Sequence, residues 1–331
     1  RTLAHTWERF GPDRDVTKVD WQRRRADIHV PDGAADLQQQ IKHGTLQLLA
    51  QFDAVGFAIH GIVEPDLDQY THLGDAVTKT DGLIYDASLG ADEVKEGRSG
   101  RLDDRWAFTS RSSALQYGSA AALAAASSAL RGYDDALADK ALAQAVATFA
   151  DENGREPDTY RHGNTTGGPL PMERFLAAAE LLRATGDTQY AMAVEQAFDE
   201  ATPFFGAIAP SAIAIRPMMN SAYDQRLRAA AAAWTQDMKA ARKDNPFGVE
   251  ITRGGWAGSG SIIGQANTAD AIHGVWPDLV SKQEVLDGFD YVLGRHPGHN
   301  LSLVSGVGAQ SKLVAYGTNR ADFSFIAGGI V

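Results

Sequence analysis

The sequence predicts an all-α fold, a toroid of helical hairpins with its long loops gathered at one mouth. Ala-rich runs such as GSAAALAAASSAL at 118–130 and RAAAAAW at 228–234 favour helix, because Ala loses little entropy there and is depleted from strands. Amphipathic segments come in pairs whose links are as short as RGYDD at 131–135 and TGD at 185–187, which forces antiparallel neighbours. No fixed-period consensus marks a regular repeat array, so stacked hairpins bury their faces in a bundle or closed ring.

The elements follow from apolar spacing. Leu37, Ile41, Leu48, Leu49 and Phe52 form one stripe after the turn PDG at 31–33. Leu115–Leu130 and Ala136–Phe149 make a hairpin, and Met172–Ala184 with Thr188–Ala201 make another. Helices over 221–243, 261–275 and Lys282–Leu293 follow. The remaining stretches, 54–110, 151–171, 202–220, 244–260 and 294–331, hold most of the Gly, Pro, Trp and His. They read as long loops, and long structured loops carry function.

Composition narrows the classes. With 331 residues and 44% apolar content the chain builds a substantial core. A formal net charge of −11 without any basic run gives no support to nucleic-acid binding or to an acidic membrane surface. No apolar run reaches the length of a membrane span. Cysteine is absent, which removes disulfides, thiolate metal sites and cysteine nucleophiles. The chain opens on RTLAHTWERF and stops on FIAGGIV, and the expectation is a piece of a longer chain, one domain over 1–331 truncated at both ends, with any export signal outside it.

Motif by motif, most enzyme signatures fail. GVGAQS at 306–311 lacks the third glycine and the strand–helix frame of a dinucleotide loop. GGWAGSGS at 254–261 holds no nucleophile elbow. His296 and His299 stand three apart with no carboxylate beside them, so shaping a loop is the reading there, and no metal site or cofactor is expected. RLDDRWAFTS at 101–110 is different, because Asp103, Asp104, Arg105 and Trp106 bring charge, a planar donor fork and an aromatic face together. Saccharides need that mixture, while helix capping with a surface ion pair is the plainer alternative. Trp256 is flanked by glycines, and YGTNRADFSF at 316–325 supplies Tyr316, Asn319, Arg320 and Asp322; a solvated loop would also account for the last three.

The order DDRW…GSAAALAAASSALRGYDD, MERFLAAAELLRATGDTQYAMAVEQ, GGWAGSGSIIGQAN and DYVLGRHPGHNLSLVSGVG…NR resembles the inverting cellulase-type enzymes of glycoside hydrolase family 9. The match runs from about Asp103 to the end. The resemblance implies an (α/α)6 barrel, hydrolysis of a β-linked glycan by a base and an acid carboxyl, and a secreted or periplasmic protein whose partner is a β-glycan or oligosaccharide. The family's base lies in an Asp-Ala-Gly-Asp motif and its acid is a late Glu. Neither has a match in this chain, so both are expected outside it. Carried over as sugar contacts are Arg320, which ends the family's His-His-Arg motif; Trp256, a cleft tryptophan; and Asp104 with Trp106, which fall where a His and a Trp flank the innermost sugar. Arg105, Tyr316 and Asn319 complete the candidate set. Thr318-Asn319-Arg320 and Asp104 replace family histidines, which points to a different β-glycan or an amino sugar. Alternatives are a non-catalytic glycan-binding toroid, an exo-acting glucosaminidase-like enzyme of the same superfamily, and a lyase using Tyr316 beside Arg320.

Overall fold

The computed structural model describes residues 1–23, 25–63, 81–163, 165–243, 245–253, 256–296, 298–311 and 328–330. The chain forms two compact units, Arg1–Glu173 and Arg174–Val331. Helices dominate both, as the alanine runs predict.

In the first unit α1 (Thr2–Phe10) precedes a hairpin of β1 (Thr17–Asp20) and β2 (Arg25–Ile28), and α2 (Asp36–Val55) follows. Gly56, in the left-handed region at φ 85°, ends α2 and donates its N–H to Phe52 O. Five short strands follow: β3 (Ile62–Val63), β4 (Ile84–Tyr85), β5 (Val94–Lys95), β6 (Arg98–Ser99) and β7 (Trp106–Ala107). β3 pairs antiparallel with β7, and β6 lies between parallel β4 and antiparallel β5.

Helices α3 (Ser113–Leu130) and α4 (Asp135–Asn153) form the predicted hairpin. The RGYDD link turns because Asp134 caps α4, accepting from Leu137 N at 3.1 Å. Gly132 N–H donates to Asp135 Oδ1 at 3.0 Å. α3 is apolar nearly all round and buried along most of its length, with Tyr117, Leu123 and Leu130 at 0–1% exposure, so it is a central helix of its unit.

α5 (Leu170–Thr185) begins in the first unit and continues into the second, where α6 (Thr188–Ala201) follows. The TGD link places Gly186 at φ 70° and Asp187 as the cap of α6. Then come α7 (Phe205–Ala214), α8 (Ser221–Arg242), strands β8 (Thr252–Arg253) and β9 (Trp256–Ala257), α9 (Ser259–His273), α10 (Lys282–Val292), and parallel β10 (Leu301–Ser302) and β11 (Gln310–Ser311).

The expected loop at 202–220 is a correction: it holds α7, with 3-10 turns on both sides at Thr202–Phe204 and Arg216–Met218. Pro203, Gly206, Pro210 and Pro217 read as breakers, yet burial of Phe205, Ile208, Ala209, Ala212 and Ile215 holds the segment helical. Pro210 cannot donate to the carbonyl four residues back. That carbonyl, Gly206 O, instead accepts from Thr268 Oγ1 at 2.6 Å, so α9 supplies the missing donor.

Candidate carbohydrate-binding site

The DDRW turn uses its two carboxylates to anchor backbone. Asp103, 3% exposed, accepts from Asp81 N at 2.7 Å and faces Arg101 Nε at 3.5 Å. Asp104 accepts from Tyr85 N at 2.6 Å. Neither caps a helix; together they tie the 81–86 segment to the turn before β7. Asp81 in turn accepts from Ser99 Oγ at 2.6 Å. That hydroxyl, with the Leu83 amide, holds its carboxyl below the usual range.

The anchoring sets an aromatic surface. Tyr85, held by Asp104, meets Trp106 edge to face at 6.0 Å and 63°, leaving the indole 49% exposed. Arg105 is exposed beside it. Asp104, Arg105 and Trp106 thus lie in one turn, with Asp104 acting on Trp106 through Tyr85.

A second aromatic group, which the sequence reading missed, stands next to it. His60 is 8% exposed and stacks on Phe108 at 5.1 Å and 16°. Tyr160 lies 5.4 Å and His162 5.6 Å from the same imidazole. Phe108, Tyr160 and His162 are all exposed. His60 titrates below its ordinary value, chiefly because burial penalises the cation and also because His162 is near.

Both supporting loops are sewn to α3. Buried Gln116 accepts from Ala58 N at 2.8 Å and donates to Ala58 O at 2.9 Å, fixing the chain two residues before His60. On the other side Ser113 N donates to Asp158 O, Asp158 N to Ser113 Oγ, and Ser112 Oγ to Thr166 O. Gly167, at φ 83°, lies where a Cβ would stand 3.0 Å from the Ala114 carbonyl carbon, so only glycine lets the loop approach the helix.

In the second unit, the loop after α10 is shaped by its histidines. His296 and His299 stack at 4.7 Å, and His296 packs on Tyr291 and Phe247 at 4.5 and 6.0 Å. Apolar contact of Leu303 and Val304 with Val249, Ile262 and Val292 anchors the loop. An open pocket of about 410 Å³ is lined by Pro246, Phe247, Gly248, Asp287, Asp290, Arg295 and His296. Trp256 lies in β9, its backbone paired with Arg253 just before α9. Tyr316, Asn319 and Arg320 lie outside the described residues. Among the described residues no group of three or more His, Asp or Glu could hold a metal ion.

With this geometry in view, comparison with known proteins finds the family model of Glycosyl hydrolase family 9 over residues 12–316. No curated protein matches. Among solved structures, a metagenome-derived glycoside hydrolase family 9 endoglucanase is similar at 19% identity and TM-score 0.67, over 99% of this chain and 57% of that one. A single mutant of a thermostable endoglucanase from Alicyclobacillus acidocaldarius gives 18%, TM-score 0.63, and 99% and 60% coverage. Bacteroides ovatus GH9 gives 14%, TM-score 0.60, and the same 99% and 60%. The chain thus spans less than two thirds of these relatives' length. The likeness shows the fold, an all-α assembly of helical hairpins consistent with an (α/α)6 toroid.

Proposed function

The chain belongs to glycosyl hydrolase family 9, and from that premise we propose that it takes part in the hydrolysis of β-linked glycosidic bonds in a polysaccharide or oligosaccharide. The observation that carries the reading is the half-exposed indole of Trp106, in edge-to-face contact with Tyr85, whose backbone the Asp104 carboxylate holds. A sugar ring offers an axial C–H face to such an indole and equatorial hydroxyls to the charged groups around it. Preset by its support, the ring loses little freedom when the sugar docks.

The substrate class follows the relatives. Similar structures include endoglucanases, and that of AaCel9A is in complex with cellobiose-like isofagomine, which supports a β-glucan. Arg105 joins the Trp106 group, and Trp256, Tyr316, Asn319 and Arg320 are proposed as sugar contacts by resemblance alone, Arg320 by its match to the arginine of the family motif. Inverting hydrolysis needs one carboxylate to activate water and one carboxylic acid to protonate the leaving oxygen, about 6.5–9.5 Å apart. The Asp-Ala-Gly-Asp base motif does not occur among the 331 residues. The catalytic pair is therefore proposed to come from sequence beyond this chain, whose 331 residues are proposed to form part of one catalytic domain. A secreted or periplasmic setting suits a polysaccharide substrate; among the described residues no helix is long and apolar enough to cross a membrane.

The absent base motif also favours a second reading, glycan binding without hydrolysis. Calorimetry with soluble β-glucan oligosaccharides and a reducing-end assay on the same material test the site on this chain, and the flanking coding sequence, read for an upstream Asp pair and a downstream Glu, separates the two readings. Binding that weakens on Trp106→Ala and on Arg320→Ala, with no release of reducing ends, is the expected result for this chain. Unchanged affinity in both variants removes the site. Turnover by the chain alone shows that the acid and base lie within it.

A further inference from the structure

The β3–β7 ribbon is longer than its two paired residues. Ile62 pairs with Ala107 and Val63 with Trp106, and the ladder runs on, because Phe108 N–H donates to Gly61 O at 2.9 Å. Phe108 therefore stands opposite Gly61 in the same antiparallel register. Side chains alternate along an extended strand, so Trp106 and Phe108 share one face of the ribbon and Ala107 points to the other. Two residues of strand advance the chain by about 6.6–6.8 Å, somewhat longer than one hexose unit of an extended β-linked chain, so the two rings lie within reach of neighbouring sugars.

Both rings are supported behind and open in front. Trp106 meets Tyr85 edge to face and Phe108 lies flat on His60, while 49% of the first and 41% of the second remain exposed. Gly61 makes the second arrangement possible: a Cβ there would lie 3.3 Å from Phe108 Cδ2, so the ring covers a residue that has no side chain of its own. His60 is itself held on several sides. Its Nδ1 is 3.3 Å from Thr165 Oγ1, and the rings of Tyr160 and His162 flank it. The exposed imidazole of His162, its ring centroid 6.3 Å from that of Phe108, puts a hydrogen-bonding group at the margin of Phe108, the arrangement a sugar needs around a stacking ring.

We propose that Trp106 and Phe108 form one stacking track for two successive units of a neutral β-linked glycan, with His60 as the positioning residue that holds Phe108 in line. This rests on the glycan reading above and extends it from one subsite to two. Phe108 carries no polar atom, so its contribution is stacking alone, and it acts only on sugars long enough to reach it.

The test is calorimetry on the whole chain with glucose and β-1,4-linked gluco-oligosaccharides of increasing length. Trp106→Ala is expected to weaken binding at every length. Phe108→Ala is expected to lose roughly tenfold with the disaccharide and longer sugars and nothing with glucose, which fills only the Trp106 position. Phe108→Leu, which keeps apolar volume without a ring, should show the same length-dependent loss and covers the case of a poorly folded alanine variant. His60→Ala should reproduce the Phe108 pattern, whereas His60→Phe, which restores a flat ring beneath Phe108, should bind like the parent. Loss with Trp106→Ala but none with either Phe108 variant overturns the track and leaves the cleft standing. Equal losses for His60→Phe and His60→Ala overturn the positioning role. A parent chain that binds none of the oligosaccharides overturns the glycan reading and the track together.

Discussion

Gln116 offers the sharpest test of how the core governs the candidate site. Its side chain is fully buried, as is Ala58, and the amide closes a two-bond ring with the Ala58 backbone at 2.8 and 2.9 Å. Gln116→Leu keeps nearly the same volume but leaves one backbone N–H and one C=O buried with no partner. Each stranded group costs about 1–3 kcal/mol, so the pair amounts to roughly 2–6 kcal/mol. The chain around Ala58 escapes part of that cost by moving toward water, and His60 moves with it. The expected result is therefore double: a drop of that size in denaturation by urea, and loss of hydrogen-exchange protection at the Ala58 amide. Oligosaccharide affinity should fall as well, because the support beneath Phe108 shifts. A loss under about 1 kcal/mol with the Ala58 amide still protected refutes the claim that this amide fixes the loop.

Other outcomes follow from single contacts. The His60 imidazole titrates below its usual 6.5 through burial and the neighbouring His162; the unfolded chain takes up a proton that the folded chain refuses. The stability His60 contributes is thus fully present above 6.5 and is lost as pH falls from there toward the lowered folded value. A denaturation series across about pH 7 to 5 should show a shallower slope for His60→Phe, and identical slopes count against it. Gly100→Ala would drive a Cβ to 2.1 Å from Gly90 O and 2.4 Å from Leu89 O, backbone that cannot step aside. The expected loss is about 1–3 kcal/mol, with weaker protection of β4–β6 amides in hydrogen exchange as the readout. Thr268→Val should cost about 1–3 kcal/mol in urea denaturation because Gly206 O is left without a donor. In a Pro210→Ala background, where residue 210 regains its N–H, the same change should cost clearly less; equal costs in both backgrounds mean the hydroxyl is not replacing the lost helix bond.

The helical hairpins were legible for reasons the coordinates make plain. RGYDD and TGD each carry a glycine at positive φ followed by an aspartate that caps the next helix, so the turn chemistry and the apolar spacing pointed the same way. α7 was not legible because its signals conflicted. Pro210 forbids a helix locally, and the compensation comes from Thr268, far along the sequence, which no window around residue 210 contains. Burial of Phe205, Ile208 and Ala212 then outweighs the local preference, a case of tertiary packing overriding propensity.

The site divides in the same way. Asp104, Arg105 and Trp106 stood out because charge and indole were contiguous, yet the role of Asp104 was hidden, since its partner is the backbone of Tyr85. The family resemblance drew attention to positions where a motif residue is expected, and that favours polar side chains and tryptophan. Phe108 has no such mark: one phenylalanine at a two-residue spacing from Trp106 is too short an alternation to separate a strand from a loop. What makes it visible is the pairing with Gly61, which fixes its face, and the stack on His60, which fixes its plane. Both contacts join segments that the sequence reading had merged into one long loop, so the information lay in pairing and not in composition. By the same reasoning, a family 9 chain that keeps Trp106 but replaces Gly61 with a bulkier residue should lose the Phe108 platform and bind long and short oligosaccharides alike; Gly61→Val in this chain is the direct measurement, and a length dependence that survives the change means the register argument is wrong.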